Sequence, residues 1–257
     1  MTAPLEVHQF PCLSDNYGYL VHDAETGNTA VIDTPEVAPI MAGLAEKGWQ
    51  LTHILNTHHH GDHAGGNLEI KDKTGCEIVG PRADAERIPG IDTALGDGDE
   101  LSFGGRKVRV FDTPGHTKGH ICYHFEADGL AFVGDTLFAL GCGRLFEGTP
   151  AQMWTSLSKL LRWPDDTVVY CAHEYTQANA RFALSVEPDN QTLQERAVEI
   201  DRLRAEGLPT VPTTMGLERA TNPFLRPDSA DLQRTIGLEG ADLVEVFAKT
   251  RALKDSF

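Results

Sequence analysis

The sequence predicts a layered α/β protein, and three observations lead to this fold class. Short runs of β-prone residues, separated by turn residues, fill the first two-thirds of the chain. Stretches with helical spacing of apolar residues lie between some of these runs. From about Thr176 onward the spacing is helical throughout, which predicts a second, helical part. We therefore place a domain boundary between residues 1–174 and residues 175–257.

The predicted elements follow in chain order, with turn residues such as Gly27-Asn28 between them. The predicted strands are residues 5–10, 17–22, 29–33, 53–55, 76–79, 107–111, 121–125, 130–133 and 168–171. The predicted helices are residues 37–47, 150–161, 193–205 and 241–253. In the first helix Ile40, Met41 and Leu44 lie on one side, and Gly48 is a plausible end. Gly207-Leu208-Pro209 and Asn222-Pro223 interrupt the later helical pattern.

Length and composition restrict the class of protein. The 257 residues suit one large domain, or one domain with an appendage. With 40% hydrophobic and 23% charged residues, the chain is neither disordered nor collagen-like. Its 22 basic and 38 acidic residues give a formal net charge of −16. This charge argues against nucleic acid or an anionic membrane as a partner, because both require a basic surface.

Localisation is predicted from the cysteines and the apolar runs. No apolar run reaches the roughly 18 residues that span a bilayer, and the first eight residues lack the features of a signal peptide. The five cysteines form no Cys-x-x-Cys pair and are widely spaced. We expect thiols in a reducing compartment, hence a cytoplasmic protein, and we expect a monomer.

The most informative segment is residues 56–67, which read Asn-Thr-His-His-His-Gly-Asp-His-Ala-Gly-Gly-Asn. In an extended chain His58 and His60 project to one side, whereas His59 points away. Asp62 and His63 follow, and a turn there could direct them to a second ion. Imidazole and carboxylate suit Zn, Fe or Mn. The alternative is a solvated loop that is enriched in histidine by chance.

Three further residues lie just past predicted strands. His116 lies in Phe-Asp-Thr-Pro-Gly-His-Thr-Lys-Gly-His at residues 111–120, Asp135 in Gly-Asp-Thr, and His173 in Ala-His-Glu-Tyr. Taken alone, each residue could have an ordinary structural role. His116 could be a turn residue, Asp135 a helix cap and His173 a buried core histidine. Together they share one placement, at a sheet edge where loops build functional sites.

These motifs resemble those of a known superfamily. The pattern Thr-His-x-His-x-Asp-His, then Pro-Gly-His-Thr-x-Gly-His, Gly-Asp and His-Glu-Tyr, resembles the metallo-β-lactamase superfamily. A narrower resemblance, to the glyoxalase II (hydroxyacylglutathione hydrolase) family, covers nearly the whole chain. It depends on the full 56–67 string and on four later segments: residues 142–148 (Cys-Gly-Arg-Leu-Phe-Glu-Gly), 173–176, 222–226 (Asn-Pro-Phe-Leu-Arg) and 251–255 (Arg-Ala-Leu-Lys-Asp).

The resemblance implies a fold and a metal centre. The fold is a four-layer αββα metallo-β-lactamase sandwich with a C-terminal helical domain that binds substrate. The centre holds two divalent ions, with Zn favoured and Fe or Mn as alternatives. The implied ligands are His58, His60 and His116 for one ion, Asp62, His63 and His173 for the other, and Asp135 together with a hydroxide as bridges. His59 and His120 are not ligands in this scheme, and we expect them to support the ligands by hydrogen bonding or packing.

The resemblance also implies an activity. A metal-bridging hydroxide would hydrolyse S-(2-hydroxyacyl)glutathione thioesters, chiefly S-D-lactoylglutathione, in methylglyoxal detoxification. Asp62 would orient the hydroxide or accept its proton. The implied glutathione contacts are Arg144, Phe146, Tyr175, Arg251 and Lys254. Two positions depart from the family: Gly61 replaces a bulky aromatic residue, and Phe146 stands where Tyr is frequent.

Other functions compete with this interpretation. One is a persulfide dioxygenase with a single iron, which also uses glutathione. Asp62, His173 and the long helical C-terminus argue against it. A nuclease shares the histidine motif, but the acidic composition disfavours it. An inactive relative that only binds glutathione is opposed by the complete ligand set.

Overall fold

The computed structural model describes residues 3–257. Met1 and Thr2, part of the segment in which we found no signal-peptide features, lie outside the described residues. The chain divides into two compact units. The first runs up to Asp112 and includes Lys118–Gly134, and the second comprises Thr113–Thr117 and Asp135–Phe257. The boundary placed near residue 175 divides the sequence differently and stays a prediction.

The elements are numbered in chain order. The helices are α1 (Val37–Lys47), α2 (Gly61–Ala64), α3 (Asn67–Thr74), α4 (Pro150–Leu160), α5 (Thr176–Val186), α6 (Gln191–Ala205), α7 (Met215–Thr221), α8 (Ala230–Ile236) and α9 (Leu243–Asp255). The strands are β1 (Glu6–Cys12), β2 (Asn16–Asp23), β3 (Asn28–Ile32), β4 (His53–Leu55), β5 (Glu77–Pro81), β6 (Thr93–Leu95), β7 (Glu100–Phe103), β8 (Arg106–Asp112), β9 (Ile121–Phe125), β10 (Leu130–Gly134), β11 (Leu137–Phe138), β12 (Gly141–Cys142), β13 (Val168–Cys171) and β14 (Thr213–Thr214).

Two sheets and a helical layer build the first unit. Strands β1 to β6 form one sheet in sequence order, antiparallel from β1 to β3 and parallel from β3 to β6. Strands β7 to β10 form an antiparallel ladder in the second sheet. Tyr19 of the first sheet packs against Phe132 of the second, with ring centroids 5.8 Å apart. The two sheets therefore face each other across an apolar core.

Helices α1 and α3 pack on the first sheet through buried apolar side chains. Ile40, Leu44 and Ile70 from the helices join a cluster with residues of β2 to β5, namely Leu20, Val31, Ile54 and Ile78. Helix α1 ends at Gly48, whose φ of +69° lies in the left-handed region that glycine adopts without a steric penalty. The predicted helix 37–47 and its end are confirmed.

The second unit is mostly helical. Helix α4 begins with a capping box, in which Thr149 Oγ1 accepts from Gln152 N and Gln152 Oε1 accepts from Thr149 N. Helices α5 and α6 pack through Ala183, Leu193 and Ile200. Short strands form two pairs, β11 with β12 and β13 with β14. The predicted α/β class, with helices toward the C-terminus, is confirmed.

Some helices and strands, among them α3 and β6, were not predicted from the sequence. Helix α3 reads Asn-Leu-Glu-Ile-Lys-Asp-Lys-Thr, and only Ile70 supplies a buried apolar side chain. Strand β6 spans three half-buried residues. Neither has enough periodicity to be recognised, because both depend on tertiary contacts. Among the residues described, no helix is both long and apolar enough to cross a membrane.

Candidate metal centre

The polar residues singled out from the sequence lie just past strands, as predicted. In the first unit, His58 follows β4 closely. In the second unit, His116 follows β8, Asp135 comes directly after β10, and His173 follows β13. Each unit thus presents its own group of potential ligands.

The first unit brings His58, His60, Asp62 and His63 together. His58 Nε2 lies 3.0 Å from His60 Nδ1, and the rings of His58 and His63 have centroids 4.0 Å apart. His63 Nε2 lies 3.5 Å from Asp62 Oδ2. Asn16 Nδ2 donates to the same carboxylate oxygen at 3.2 Å, which restricts the orientation of Asp62. We call these four potential ligands the first ligand group.

A buried carboxylate supports this group. Asp33 directly follows β3 and has a φ of +57°, in the left-handed region. Its Oδ2 lies 2.8 Å from His63 Nδ1 and accepts from Thr57 Oγ1 at 2.7 Å. Its Oδ1 accepts from Thr57 N at 2.7 Å. Because a carboxylate accepts hydrogen bonds, His63 Nδ1 carries the proton, and Nε2 of the neutral ring then offers a lone pair.

Buried amides fix the backbone of the same loop. Asn56 Nδ2 donates to the carbonyl oxygen of His63 at 2.9 Å. Asn67 Nδ2 donates to Asn56 Oδ1 at 2.7 Å, and Thr34 Oγ1 donates to Asn67 Oδ1 at 2.7 Å. All three side chains are fully buried. Asn67, the last residue of the histidine motif, therefore has a structural function.

The second unit gathers His116 and His173 on opposite oxygens of Asp135, and we call these three residues the second ligand group. His116 Nε2 lies 3.4 Å from Asp135 Oδ2, and His173 Nε2 lies 3.4 Å from Asp135 Oδ1. His116 Nδ1 donates to the carbonyl oxygen of Arg144 at 2.9 Å, so its Nε2 also offers a lone pair. A Cβ atom on Gly143 would lie 2.0 Å from the Asp135 carbonyl oxygen, so this close approach requires glycine.

The donor atoms fit a divalent cation. Zinc–nitrogen and zinc–oxygen bonds are about 2.0–2.2 Å long, so neighbouring ligand atoms of a tetrahedral zinc lie about 3.3–3.5 Å apart. Three of the four donor pairs described above lie 3.4–3.5 Å apart, and the pair from His58 and His60 lies at 3.0 Å. Imidazole and carboxylate groups are also the ligand types that Zn, Fe and Mn accept.

The two remaining histidines of these motifs face other partners. His59 Nδ1 lies 2.9 Å from Asp84 Oδ2, and Arg87 contacts the other ring nitrogen. His120 stacks on His58, with centroids 4.9 Å apart. His120 thus packs on a potential ligand, whereas these hydrogen bonds of His59 go to residues outside the ligand set, and the support of the ligands by these two histidines stays a prediction.

A cavity of about 520 Å³ opens within the second unit. His116 and Asp135 line it, together with all five residues that the resemblance assigned to glutathione: Arg144, Phe146, Tyr175, Arg251 and Lys254. The same cavity therefore contains two potential metal ligands and three cationic side chains.

The cations of this cavity are held in different ways. Arg251 is only 5% exposed, and its guanidinium donates to the Cys142 carbonyl oxygen at 2.8 Å and pairs with Asp255 at 3.0 Å. Lys254 donates to the Ala178 carbonyl oxygen at 3.2 Å. Partial burial, then the charges of Arg251 and Arg144, lower the pKa of Lys254 below its ordinary value. Arg144 is largely exposed.

Aromatic side chains complete the cavity wall. Tyr175 stacks on His173 with ring centroids 4.7 Å apart and an interplanar angle of 1°. Phe146 is 63% exposed and meets the His116 ring edge-on at 5.2 Å.

Burial raises the pKa of the Cys142 thiol to about 11, against the opposing effect of Arg251. Cys142 is therefore a thiol at neutral pH and a poor nucleophile.

Asp33 was not among the site residues predicted from the sequence. The signal was present, because Val-Ile-Asp-Thr at residues 31–34 places an aspartate at the end of an apolar strand, as Val-Gly-Asp-Thr does for Asp135. Asp255, which pairs with Arg251 and approaches Arg144 at 4.0 Å, was quoted only as part of a motif.

Family models match both parts of the chain. Residues 15–173 match the metallo-beta-lactamase superfamily, and residues 174–257 match the hydroxyacylglutathione hydrolase C-terminus. Together these matches cover the histidine motifs and the helical region.

Individual proteins match over nearly the full length. The chain is 59% identical to a hydroxyacylglutathione hydrolase of Maricaulis maris, covering 99% of this chain and 100% of that protein. It is 57% identical to one of Rhizobium etli, covering 99% of each. Among solved structures, ETHE1 from Myxococcus xanthus matches with a TM-score of 0.65 at 25% identity, covering 97% of this chain and 99% of that one. The predicted fold class is confirmed, and the chain belongs to the metallo-β-lactamase superfamily of metal-dependent hydrolases and, within it, to the hydroxyacylglutathione hydrolase family.

Proposed function

We propose that the chain hydrolyses S-(2-hydroxyacyl)glutathione thioesters, converting S-D-lactoylglutathione to glutathione and D-lactate in methylglyoxal detoxification. The names of the full-length relatives support this reaction. The observation that carries it here is the cavity of the second unit, in which three cations accompany His116 and Asp135. Such a cavity suits a small anionic substrate whose reacting carbon lies beside a metal site.

The proposed metal centre holds two divalent ions, most simply zinc. His58, His60 and His116 would hold one ion, Asp62, His63 and His173 the other, and Asp135 would bridge them. The donor-atom spacing within each ligand group supports this assignment. When bound, divalent ions of this kind make hydroxide available near neutral pH and polarise a carbonyl oxygen.

The protein's own residues orient and deprotonate the nucleophile. Asp62, whose Oδ2 accepts from Asn16 Nδ2 at 3.2 Å, would orient the attacking water or accept its proton. The departing glutathione thiolate needs little proton assistance, because a thiol pKa is only about 8.5. Cys142 takes no part as a nucleophile, since its pKa of about 11 keeps it protonated.

The second unit would bind the substrate. Glutathione carries two carboxylates, and Arg251, Lys254 and Arg144 supply the opposite charge. Arg251 binds through a planar fork, whereas Lys254 acts as a point charge. Tyr175 and Phe146 line the remaining wall, and the absence of a hydroxyl at Phe146 removes one hydrogen-bond donor from the cavity.

The cellular setting is part of the proposal. All five cysteines are buried thiols, which suits the reducing cytoplasm. We propose that the chain acts there as a monomer, with the helical region over residues 175–257 as its substrate-binding domain.

The test combines metal analysis of the purified protein with two assays. Hydrolysis of S-D-lactoylglutathione should release glutathione, detected by a thiol reagent, and the rate should disappear after chelation and return with zinc. Oxygen consumption with glutathione persulfide, without thioester hydrolysis, would replace the proposal by the dioxygenase interpretation. Glutathione binding with no turnover in metal-loaded protein would support an inactive relative.

A further inference from the structure

Side chains of the helical region bind the backbone of the hairpin formed by β11 and β12, from Phe138 to Cys142. Asn222 Nδ2 donates to the carbonyl oxygens of Phe138 and Gly141, at 3.1 and 3.0 Å. Three other side chains bind the residues between and after these two: Asn179 Nδ2 donates to Ala139 O at 3.1 Å, Glu218 Oε2 accepts from Leu140 N at 2.8 Å, and Arg251 donates to Cys142 O at 2.8 Å.

This hairpin needs such partners. Its strands have two residues each, so its own ladder satisfies few of its backbone groups. All residues from Leu137 to Cys142 are buried, and a buried backbone group without a partner is destabilising. Leu140 moreover has a φ of +59°, a left-handed conformation that costs a non-glycine residue about 1 kcal/mol.

Asn222 is the central residue of this network. Besides its two carbonyl partners, Nδ2 also lies 2.9 Å from Glu218 Oε2. Its Oδ1 accepts from Phe224 N at 3.0 Å, which fixes the side chain from the other end. Asn222 and Glu218 are both fully buried.

Phe224, two residues later, holds the cavity arginine. The guanidinium carbon of Arg251 lies 4.9 Å from the centroid of the Phe224 ring, within the range of a cation–π interaction. That ring is itself fixed between Phe182 and Phe247, at centroid distances of 5.9 and 6.1 Å. One short segment, Asn222-Pro223-Phe224, thus binds both the hairpin and Arg251.

Both elements held by this segment shape the cavity. Phe138 and Cys142 of the hairpin line it, as does Arg251. Phe138 also meets Tyr175 edge-on at 5.3 Å and His173 at 5.8 Å. A shift of the hairpin would therefore move the cavity wall together with Arg251.

We propose that Asn222 and Phe224 are positioning residues for glutathione recognition: they hold the hairpin and the Arg251 guanidinium in the arrangement that binds the glutathione carboxylates. The inference rests on the proposed function. It assigns a function to the Asn-Pro-Phe-Leu-Arg motif, which otherwise only marks the family.

The test compares Asn222→Ala with Asn190→Ala, a matched control in the same unit. The Oδ1 atom of Asn190 caps a helix, and its Nδ2 donates to the carbonyl oxygen of Ala220 at 3.0 Å. None of the hydrogen bonds found in the described residues joins Asn190 to the hairpin. Each protein is assayed with S-D-lactoylglutathione and with the lactoyl thioester of N-acetylcysteamine, which lacks the glutathione carboxylates. Binding of S-methylglutathione is measured by calorimetry on metal-free protein.

We expect Asn222→Ala to raise KM for the glutathione thioester, and Kd for S-methylglutathione, at least about fivefold, since both hydrogen bonds from Asn222 to the hairpin are lost. Its kcat/KM for the truncated thioester should match that of Asn190→Ala. Phe224→Leu should show the same pattern at about 2–30-fold. If Asn222→Ala does not fold, Phe224→Leu carries the test, because it leaves the Asn222 side chain and its hydrogen bonds to the hairpin in place.

Two results would overturn the inference. One is an unchanged Kd for S-methylglutathione in the folded variants. The other is an equal loss with both thioesters, which would indicate a purely structural effect. Failure of the proposed function is distinguishable, because wild-type protein would then hydrolyse no glutathione thioester at all, and the calorimetry would still decide the inference.

Discussion

The two groups of potential ligands are built in different ways. The first group comes from one continuous segment of six residues, His58 to His63, in which buried polar groups bind the backbone and the His63 side chain. The second group comes from three separate strand ends and borders a cavity with three cations. Under the proposed function, the first unit would hold metal only, whereas the second would combine metal ligation with substrate binding.

Substitutions in the two units should therefore have different effects on metal content, turnover and substrate affinity. Changes around the first group should affect metal and turnover together. Changes in the second unit should separate into those at the ligands, which affect metal, and those at the cavity cations, which affect the affinity for substrate.

The largest expected effect is at Asp135. Asp135→Ala removes the carboxylate that lies between His116 and His173, so metal content and activity should fall together, by more than about 100-fold. Metal analysis alongside the hydrolysis assay measures both. Asp189→Ala, an exposed acid of the same unit, is the control. Full activity in the Asp135 variant would reject the bridged centre.

The second-largest effect is expected at Asp33. Asp33→Asn removes the charge that supports His63 Nδ1, and we expect metal affinity to fall about 10–100-fold, as for other partners of metal-bound histidines. Competition with a chromogenic chelator measures the affinity. The matched control is Asp84→Asn, since Asp84 is also a buried carboxylate on a histidine, His59, which is not a proposed ligand. Equal losses in both variants would mean that any buried carboxylate near these histidines matters equally.

Arg251→Met should act on substrate binding and not on metal. Losing a hydrogen bond between charged groups costs about 1.5–3 kcal/mol, so KM for the glutathione thioester should rise about 10–150-fold. Arg251→Lys should be intermediate, because an ammonium cannot copy the forked contacts to Cys142 and Asp255. Arg202→Met, at an exposed position in α6, is the control. An unchanged KM in Arg251→Met would place the anion contacts elsewhere.

Lys254 should make glutathione binding depend on pH. Its pKa is lowered by partial burial and by Arg251 and Arg144, so its charge is lost as the pH rises through this lowered pKa. Binding of S-methylglutathione, followed by calorimetry, should therefore weaken at a pH below the ordinary lysine pKa of about 10.4. In Lys254→Arg the affinity should stay flat over this range. The same alkaline loss in both proteins would assign the titration to another group.

Phe146→Tyr should have the smallest effect, and in the opposite direction. The ring is 63% exposed at the cavity, so a hydroxyl fits there without repacking. If it reaches the bound thioester, one hydrogen bond lowers KM about 2–12-fold. Phe257→Tyr, also exposed at the cavity, is the matched control. An unchanged or higher KM in Phe146→Tyr would show that the hydroxyl finds no partner on the substrate.

The two ligand groups also differ in how far the sequence predicts them. The first is visible as a local cluster, because its residues are neighbours in the chain. The second is recognised through the family motifs, since isolated residues such as His116 and His173 could each have an ordinary structural role. Their placement after strands was predictable, because apolar strands are visible in the sequence.

Other features depend on contacts between residues that are distant in sequence. Asp33 and His63 are 30 residues apart, and only folding shows that they are bonded. The hydrogen bonds from Asn222 to the hairpin span more than 80 residues. Helix α3 likewise has too weak an apolar pattern to be predicted, because its neighbours and not its own sequence determine its burial.

The most direct test of the proposed two-metal hydrolase is a titration of metal-free protein with zinc, during which bound metal and the initial rate of S-D-lactoylglutathione hydrolysis are both measured. The rate should rise until two ions are bound per chain and then level off, and Asp135→Ala should show no such rise. Full activity with one ion per chain, or no hydrolysis in fully loaded protein, would contradict it.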